Sequence, residues 1–260
     1  MTLEVISRVQ DRVGYVSINR PDARNAVYPE MLDDVVAAIQ VHEVDPEVRV
    51  IVLTGEGKAF CAGADRERFL VRIPGKTPHE IQKDIYERFM GVARALRMSA
   101  KPTIAAVNGP AVGAGCEFAV ACDFRLASPT ALFWENWIDL AILPPLGGMF
   151  LLPRLVGAER AADMVMRARR VTAEEALAWG LVSQIIAQEG FAEGVHDFAL
   201  SLARRSPRAL SVAKQALRRS AESTLAAELD FTLQAQSILL TSADFAEAMT
   251  AMGEGRPPNF

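Results

Sequence analysis

The chain has 260 residues, 50% of them hydrophobic, with Lys+Arg 28 against Asp+Glu 32 and a formal charge of -4. That size and apolar content suit one compact domain, or a domain with a helical appendage, built on a sizeable core. Near balance of charge, with no run of one sign, argues against nucleic acid or an acidic membrane surface and leaves small molecules as the expected ligands.

The start, "MTLEVISRVQDRVGYVSINR", has neither the basic head nor the apolar stretch of a signal peptide, and no window approaches a membrane span. A cytoplasmic protein is expected. Cys61, Cys116 and Cys122 lack metal-like spacing, and His42, His79 and His196 lie far apart. Neither a disulfide framework nor a metal site is expected.

In chain order, "GYVSIN", "VRVIVLTG" and "PTIAAVNG" read as buried strands, apolar on both alternations and closed by Gly or Asn-Gly. Between them, "YPEMLDDVVAAIQVHE" and "PHEIQKDIYERFMGVARALRM" carry apolar residues at three- and four-residue intervals with early carboxylates, which predicts amphipathic helices. From about Ala158 strand signals nearly vanish and a train of helices follows, ending in "GEGRPPNF", the segment most like a flexible tail. The expected division is a sheet-containing core over 1–195 and a helical region over 196–260.

Two stretches share one pattern. In "AVNGPAVGAGCEFAVACD", a strand ends at Asn108-Gly109 and helical spacing begins near Gly113, so the first-turn N–H groups lack intrahelical acceptors. Small residues admit a ligand atom to those donors, the helix dipole adds positive potential, and Ala114 and Glu117 fall on one face. The competing reading is close strand-to-helix packing, with Glu117 merely favouring the dipole. In "GEGKAFCAGADRERF", Ala62-Gly63-Ala64 forms a second small-residue turn before Asp65, whose own pattern is that of an N-cap. Together the two turns present a pair of N–H groups of the kind an enolate oxygen needs.

The segment from Ile104 to Phe124 resembles the signature of the crotonase (enoyl-CoA hydratase/isomerase) superfamily, and "GEGKAFCAGAD" resembles its other hallmark. The resemblance runs from about Leu3 to Phe260 and includes "NRPDARNA", "LPRLVG" and "RPPNF". It implies an α/β fold, a crotonase-like spiral of repeated ββα units with a C-terminal helical oligomerisation region. It also implies a homotrimer or dimer of trimers that binds acyl-CoA thioesters, with no cofactor beyond the coenzyme A of the substrate. By the same resemblance Ala64 and Ala114 supply the oxyanion N–H groups. Arg24 and Arg256 would contact the phosphates, Ala62, Ala64 and Asp65 the adenine and pantetheine, and Phe69, Leu70, Leu143 and Trp134 the acyl group.

Hydratases of the family use two glutamates to position water and move protons. Glu117 matches the first, but the second position, counted from Pro144 and Gly147-Gly148, falls on Trp137. Indole is neither acid nor base. Glu135 and Asp139 flank it by two residues each and share its face in an extended chain. A dehalogenase branch also has tryptophan here, but its nucleophile position corresponds to Pro145. The expected activity is hydratase-like addition of water to a 2-enoyl-CoA. The alternatives are a single-carboxylate reaction such as double-bond isomerisation of a bulky or cyclic acyl-CoA and, in another class, a non-catalytic acyl-CoA binder.

Overall fold

The computed structural model describes residues 3–260, the side chains of residues 84–86 excepted. Its first half alternates strand and helix: β1 (Val5–Gln10), β2 (Val13–Ile18), α1 (Pro29–Val44), β3 (Val50–Gly55), α2 (Pro78–Asp84), α3 (Met90–Met98), β4 (Thr103–Val107), β5 (Pro110–Val112) and α4 (Ala114–Ala121). Then follow β6 (Phe124–Ala127), β7 (Leu132–Trp134), α5 (Gly148–Val156), α6 (Ala158–Met166), β8 (Arg170–Thr172), α7 (Ala173–Ala178) and β9 (Gln184–Ile185). The helices α8 (Phe191–Ala203), α9 (Pro207–Ser220), α10 (Leu225–Leu240) and α11 (Ala243–Glu254) complete the chain.

Six strands form one sheet in the order β1-β2-β3-β4-β6-β9, parallel except for β1, and β5-β7-β8 form a second. The chain steps between the sheets as it spirals: β4 leads to β5 and α4, and β6 leads to β7. Strand β2 is buried along its whole length because helices cover both faces of the sheet, which is why its sequence is apolar on both alternations. Strand β1, half polar and mostly exposed, lacked that signal and holds the edge. On one face Val16, Ile51 and Leu53 join Leu32, Leu96 and Phe118 in the main core, and on the other Tyr15, Val50 and Val52 pack with Phe191, Val195 and Ala199.

The stretch 78–98 is helical throughout as expected, with a π-helical turn over Ile85–Phe89 between α2 and α3. Two expectations need correction. The boundary expected at 195 falls inside α8, whose Phe191, Val195, Ala199 and Ala203 are buried against the sheet. The helical appendage therefore begins after Ala203. The C-terminal segment is tied down rather than free, for the Phe260 main-chain oxygen accepts from Arg12 at 2.9 Å and from Arg49 at 3.4 Å. Helix α10 buries none of its residues: Leu225, Leu229 and Leu233 are 78%, 59% and 68% exposed. Among the described residues no helix is long and apolar enough to cross a membrane.

Candidate active site

The two small-residue turns meet. Backbone bridges join Cys61 to Ala111 and Val27 to Ala64, and Val112 N donates to Cys61 O at 2.9 Å. Gly113, at φ 51 and ψ -115, makes the bend from β5 into α4 in a region closed to most side chains. Gly115 lies so close to Cys61 O that a Cβ there would collide with it. A Cβ on Gly63 would stand 3.7 Å from Ala114 N, so the residue before Ala64 borders the first N–H of α4. Val27 claims Gly63 O and Asp65 N at 2.8 and 2.7 Å, which leaves the Ala64 N–H turned away from that bridge. Neither Ala64 N–H nor Ala114 N–H has an acceptor among the described residues.

All eight residues of α4 are buried, which accounts for its run of Ala, Gly and Cys. Glu117, 1% exposed, is the one charged group on it. Its Oε1 accepts from Leu146 N at 3.0 Å and Gly148 N at 2.7 Å, and its Oε2 from Leu146 N at 3.1 Å. A Cβ on Gly148 would stand 2.8 Å from Oε1, so glycine is what lets the backbone approach the carboxylate. Burial, and next the charge of Glu135, push the Glu117 carboxyl well above the ordinary value against those two donors.

Glu135 reaches the site through register. Strands β5 and β7 pair Val112 with Trp134, and Gly113 N donates to Trp134 O at 2.8 Å, which sets residue 135 beside the start of α4. Phe133 and Glu135 share the inward face of the strand and are both wholly buried. The Glu135 Oε2 accepts the indole N–H of Trp137 at 2.8 Å. Burial raises the Glu135 carboxyl to about 7, opposed by the neighbouring Cys116 and Trp137. Trp137 is buried, and its Cε2 and Cζ2 lie 3.7 Å from where a Cβ on Gly113 would stand. The tryptophan thus lies against the helix start that carries the free N–H.

Asp139 does not join this cluster. A 3-10 turn over Asn136–Leu140 replaces the extended chain on which it would share a face with Trp137, and Asp139 is exposed. Leu143 is 63% exposed, and Leu146 is the buried leucine beside Glu117. Trp134 alternates away from Glu135 and lies under the Arg170 guanidinium, 4.1 Å from its ring centre. Phe69 is buried in the main core, 5.1 Å from Phe89 between ring centres, and Leu70 packs on that core.

The residues expected around coenzyme A also divide. Ala62 N donates to Arg24 O at 3.0 Å, which fixes Arg24 at the border of the Ala62-Gly63-Ala64 turn. Its side chain is exposed, with no hydrogen bond or ion pair among the described residues. Asp65 has its carboxylate committed: Oδ1 accepts from Glu67 N and Arg68 N at 3.0 and 2.9 Å, and Oδ2 pairs with Arg20 at 2.9 Å. Asp65 therefore closes the turn over residues 66–69 and not a helix, for the next helical turn, Leu70–Arg72, has Phe69 at its N-cap. Arg256 is likewise taken, by Glu247 and Glu254 at 2.6 Å each, and its hydrogen bond brings the Glu247 carboxyl down to about 2. The three cysteines are buried free thiols, and burial raises Cys61 to about 12, far from a nucleophile's range. No local pattern points to Arg20 or to the Leu146 and Gly148 donors, because each acts across a long sequence separation.

The family model described as enoyl-CoA hydratase/isomerase matches residues 8–260. The chain is 37% identical over 257 residues to the 2,3-dehydroadipyl-CoA hydratase of Escherichia coli K12, covering 99% of this chain and 98% of that protein. It is 32% identical over 256 residues to the 1,2-epoxyphenylacetyl-CoA isomerase of the same organism, covering 98% and 97%. Among solved structures it is similar to an enoyl-CoA hydratase from Bacillus anthracis, with a TM-score of 0.93 at 30% identity over 99% of this chain and 98% of that one.

Proposed function

From the premise that this chain belongs to the enoyl-CoA hydratase/isomerase family, we propose that the Ala64 and Ala114 N–H groups receive the thioester carbonyl of an acyl-CoA while Glu117 moves the proton beside it. The observation that carries this reading is the pair of acceptor-free N–H groups on two joined turns, with a buried carboxylate one helical turn away. Such donors stabilise negative charge as it develops on the oxygen and, being fixed by the fold, need no reorganisation.

The reaction is hydratase-like. Ionised Glu117 takes a proton from water as the water oxygen bonds to the β-carbon of a 2-enoyl-CoA, the double-bond electrons move to the thioester oxygen, and the enolate then takes a proton from Glu117 at the α-carbon. A second reading, isomerisation by withdrawal and return of one proton, is favoured by Trp137, whose indole N–H is committed to Glu135. Incubation of enoyl-CoAs in H₂¹⁸O and D₂O separates the two. Label in a new hydroxyl supports hydration, whereas deuterium on carbon without ¹⁸O supports isomerisation. Binding without Glu117-dependent turnover would instead indicate a non-catalytic acyl-CoA binder.

Arg24 supplies the cation for the phosphates of coenzyme A, and the substrate brings the only cofactor. The exposed leucines of α10 are covered by further copies, in a homotrimer or dimer of trimers working in the cytoplasm. Light scattering is expected to give three or six subunits, and a stable monomer would end this part of the reading.

A further inference from the structure

On the face of the main sheet turned away from α4 lies a cavity of about 430 Å³, a volume that suits a small ligand. Its floor is formed by the carboxyl ends of parallel strands, where register sets Ser17 beside Thr54 and Thr54 beside Ala106. Asn108 and the turn over 55–57 close one end, tied together by the Asn108 amide, which donates to Gly55 O at 2.8 Å and Gly57 O at 2.9 Å. The first turn of α8 forms a wall, and Arg8 of the edge strand lies over the Tyr15 ring, 4.0 Å from its centre.

Ser17 marks this hollow as a built site. It is 4% exposed, yet its hydroxyl has no hydrogen-bond partner among the described residues, whereas every other buried polar or charged side chain there has one. The oxygen is not sealed in the core but opens onto the cavity. A hydroxyl so placed, on a strand otherwise buried along its length, takes its partner from the cavity. Thr54 donates its hydroxyl proton to Ala106 O at 2.9 Å and keeps its lone pairs for a donor. The charges are of both signs. Arg8 is joined by the Phe191 and Ala192 N–H groups, which begin α8 without acceptors behind the N-cap Gly190. Against them stand the carboxylates of Glu56 and Glu193. A lone anion would meet two carboxylates, and a lone cation a guanidinium and a helix start; a molecule that carries both charges matches the whole lining.

We propose that this cavity binds a free amino acid with an apolar side chain. Its carboxylate is received by the Phe191 and Ala192 N–H groups and by Arg8, and its ammonium donates to the Glu56 carboxylate and the Ser17 hydroxyl. Val52, Ala106 and Val195 supply the apolar surface for its side chain. The site lies across the sheet from Glu117, so its ligand does not compete with one bound at α4.

The test is calorimetry on the full-length protein with L-valine, L-leucine and L-methionine, and with two counterparts of leucine that each keep one charge. Of these, 4-methylpentanoate lacks the ammonium and 3-methylbutylamine lacks the carboxylate. At least one of the amino acids is expected to bind with a Kd at or below about 1 mM. Each singly charged counterpart is expected to bind about tenfold or more weakly than leucine, the difference that one charged hydrogen bond makes. Glu56→Gln should erase most of the advantage of leucine over 4-methylpentanoate, and Arg8→Gln should narrow its advantage over the amine. Ser17→Ala should weaken leucine about tenfold while leaving the melting temperature of the free protein unmoved, because its hydroxyl has no partner in the chain to lose. Absence of binding by all three amino acids at about 10 mM, equal affinity for leucine and its two counterparts, or affinities that the three variants leave unaltered would overturn the proposal.

Discussion

The indole N–H of Trp137 donates to Glu135 Oε2 at 2.8 Å, so the residue that counting along the sequence sets at the second-glutamate position is held by a carboxylate two positions upstream. That carboxylate also acts on Glu117, whose proton its charge helps to retain. The site therefore holds two buried carboxyls with different supports: two backbone N–H donors for Glu117, and for Glu135 the indole on Oε2 alone, its Oε1 being without a partner among the described residues.

Glu117→Gln keeps the size of the side chain and leaves an oxygen for the Gly148 N–H, but removes the base. Turnover of an enoyl-CoA is expected to fall about 10² to 10⁴-fold, with little change in acyl-CoA affinity measured by calorimetry. Undiminished turnover would make Glu117 a bystander.

Ala114→Pro deletes one proposed oxyanion donor at the first helical position, where the N–H takes no part in the helix and proline is tolerated. The expected loss is on the order of 3 kcal/mol in kcat/KM. A melting temperature close to that of wild type would show that the loss is chemical, and full activity in the folded variant would remove Ala114 from the site.

Glu135→Gln tests the coupling through pH. Removing a negative neighbour favours ionised Glu117, so the acid limb of kcat/KM is expected to move to lower pH; an unmoved limb would uncouple the pair. Stability gives a second readout, because burial raises the Glu135 carboxyl from 4.5 to about 7. Between those values the unfolded chain has lost a proton that the folded chain keeps. Stability is therefore full below 4.5 and declines as pH rises through about 7. Thermal melts across this range should show a shallower decline in the variant.

Trp137→Phe keeps the ring against Gly113 and removes the indole donor, which is the one hydrogen bond to the Glu135 carboxylate among the described residues. The expected cost is about 1–3 kcal/mol in urea unfolding, larger at alkaline than at acid pH because an ionised carboxylate needs the donor more. An equal cost at both ends of the pH range would assign the loss to packing alone.

The frame and the first half of the candidate site are legible in the order of residues alone. Strands β2, β3 and β4 are legible because a sheet covered on both faces must be apolar on both alternations, and Gly113, Ala114 and Glu117 because a helix start with small residues has a recognisable local form. Tertiary structure decided what depends on register and long separation. The pairing of Val112 with Trp134 brings Glu135 to Glu117, whereas a 3-10 turn sends the equally spaced Asp139 to the surface. The same holds for Arg256, taken by Glu247 and Glu254, and for Arg97 and Arg218, which meet only because α9 folds back onto α3. A side chain's type is written in the chain, but its burial, its charge partner and hence its chemistry depend on neighbours that only the packed fold supplies.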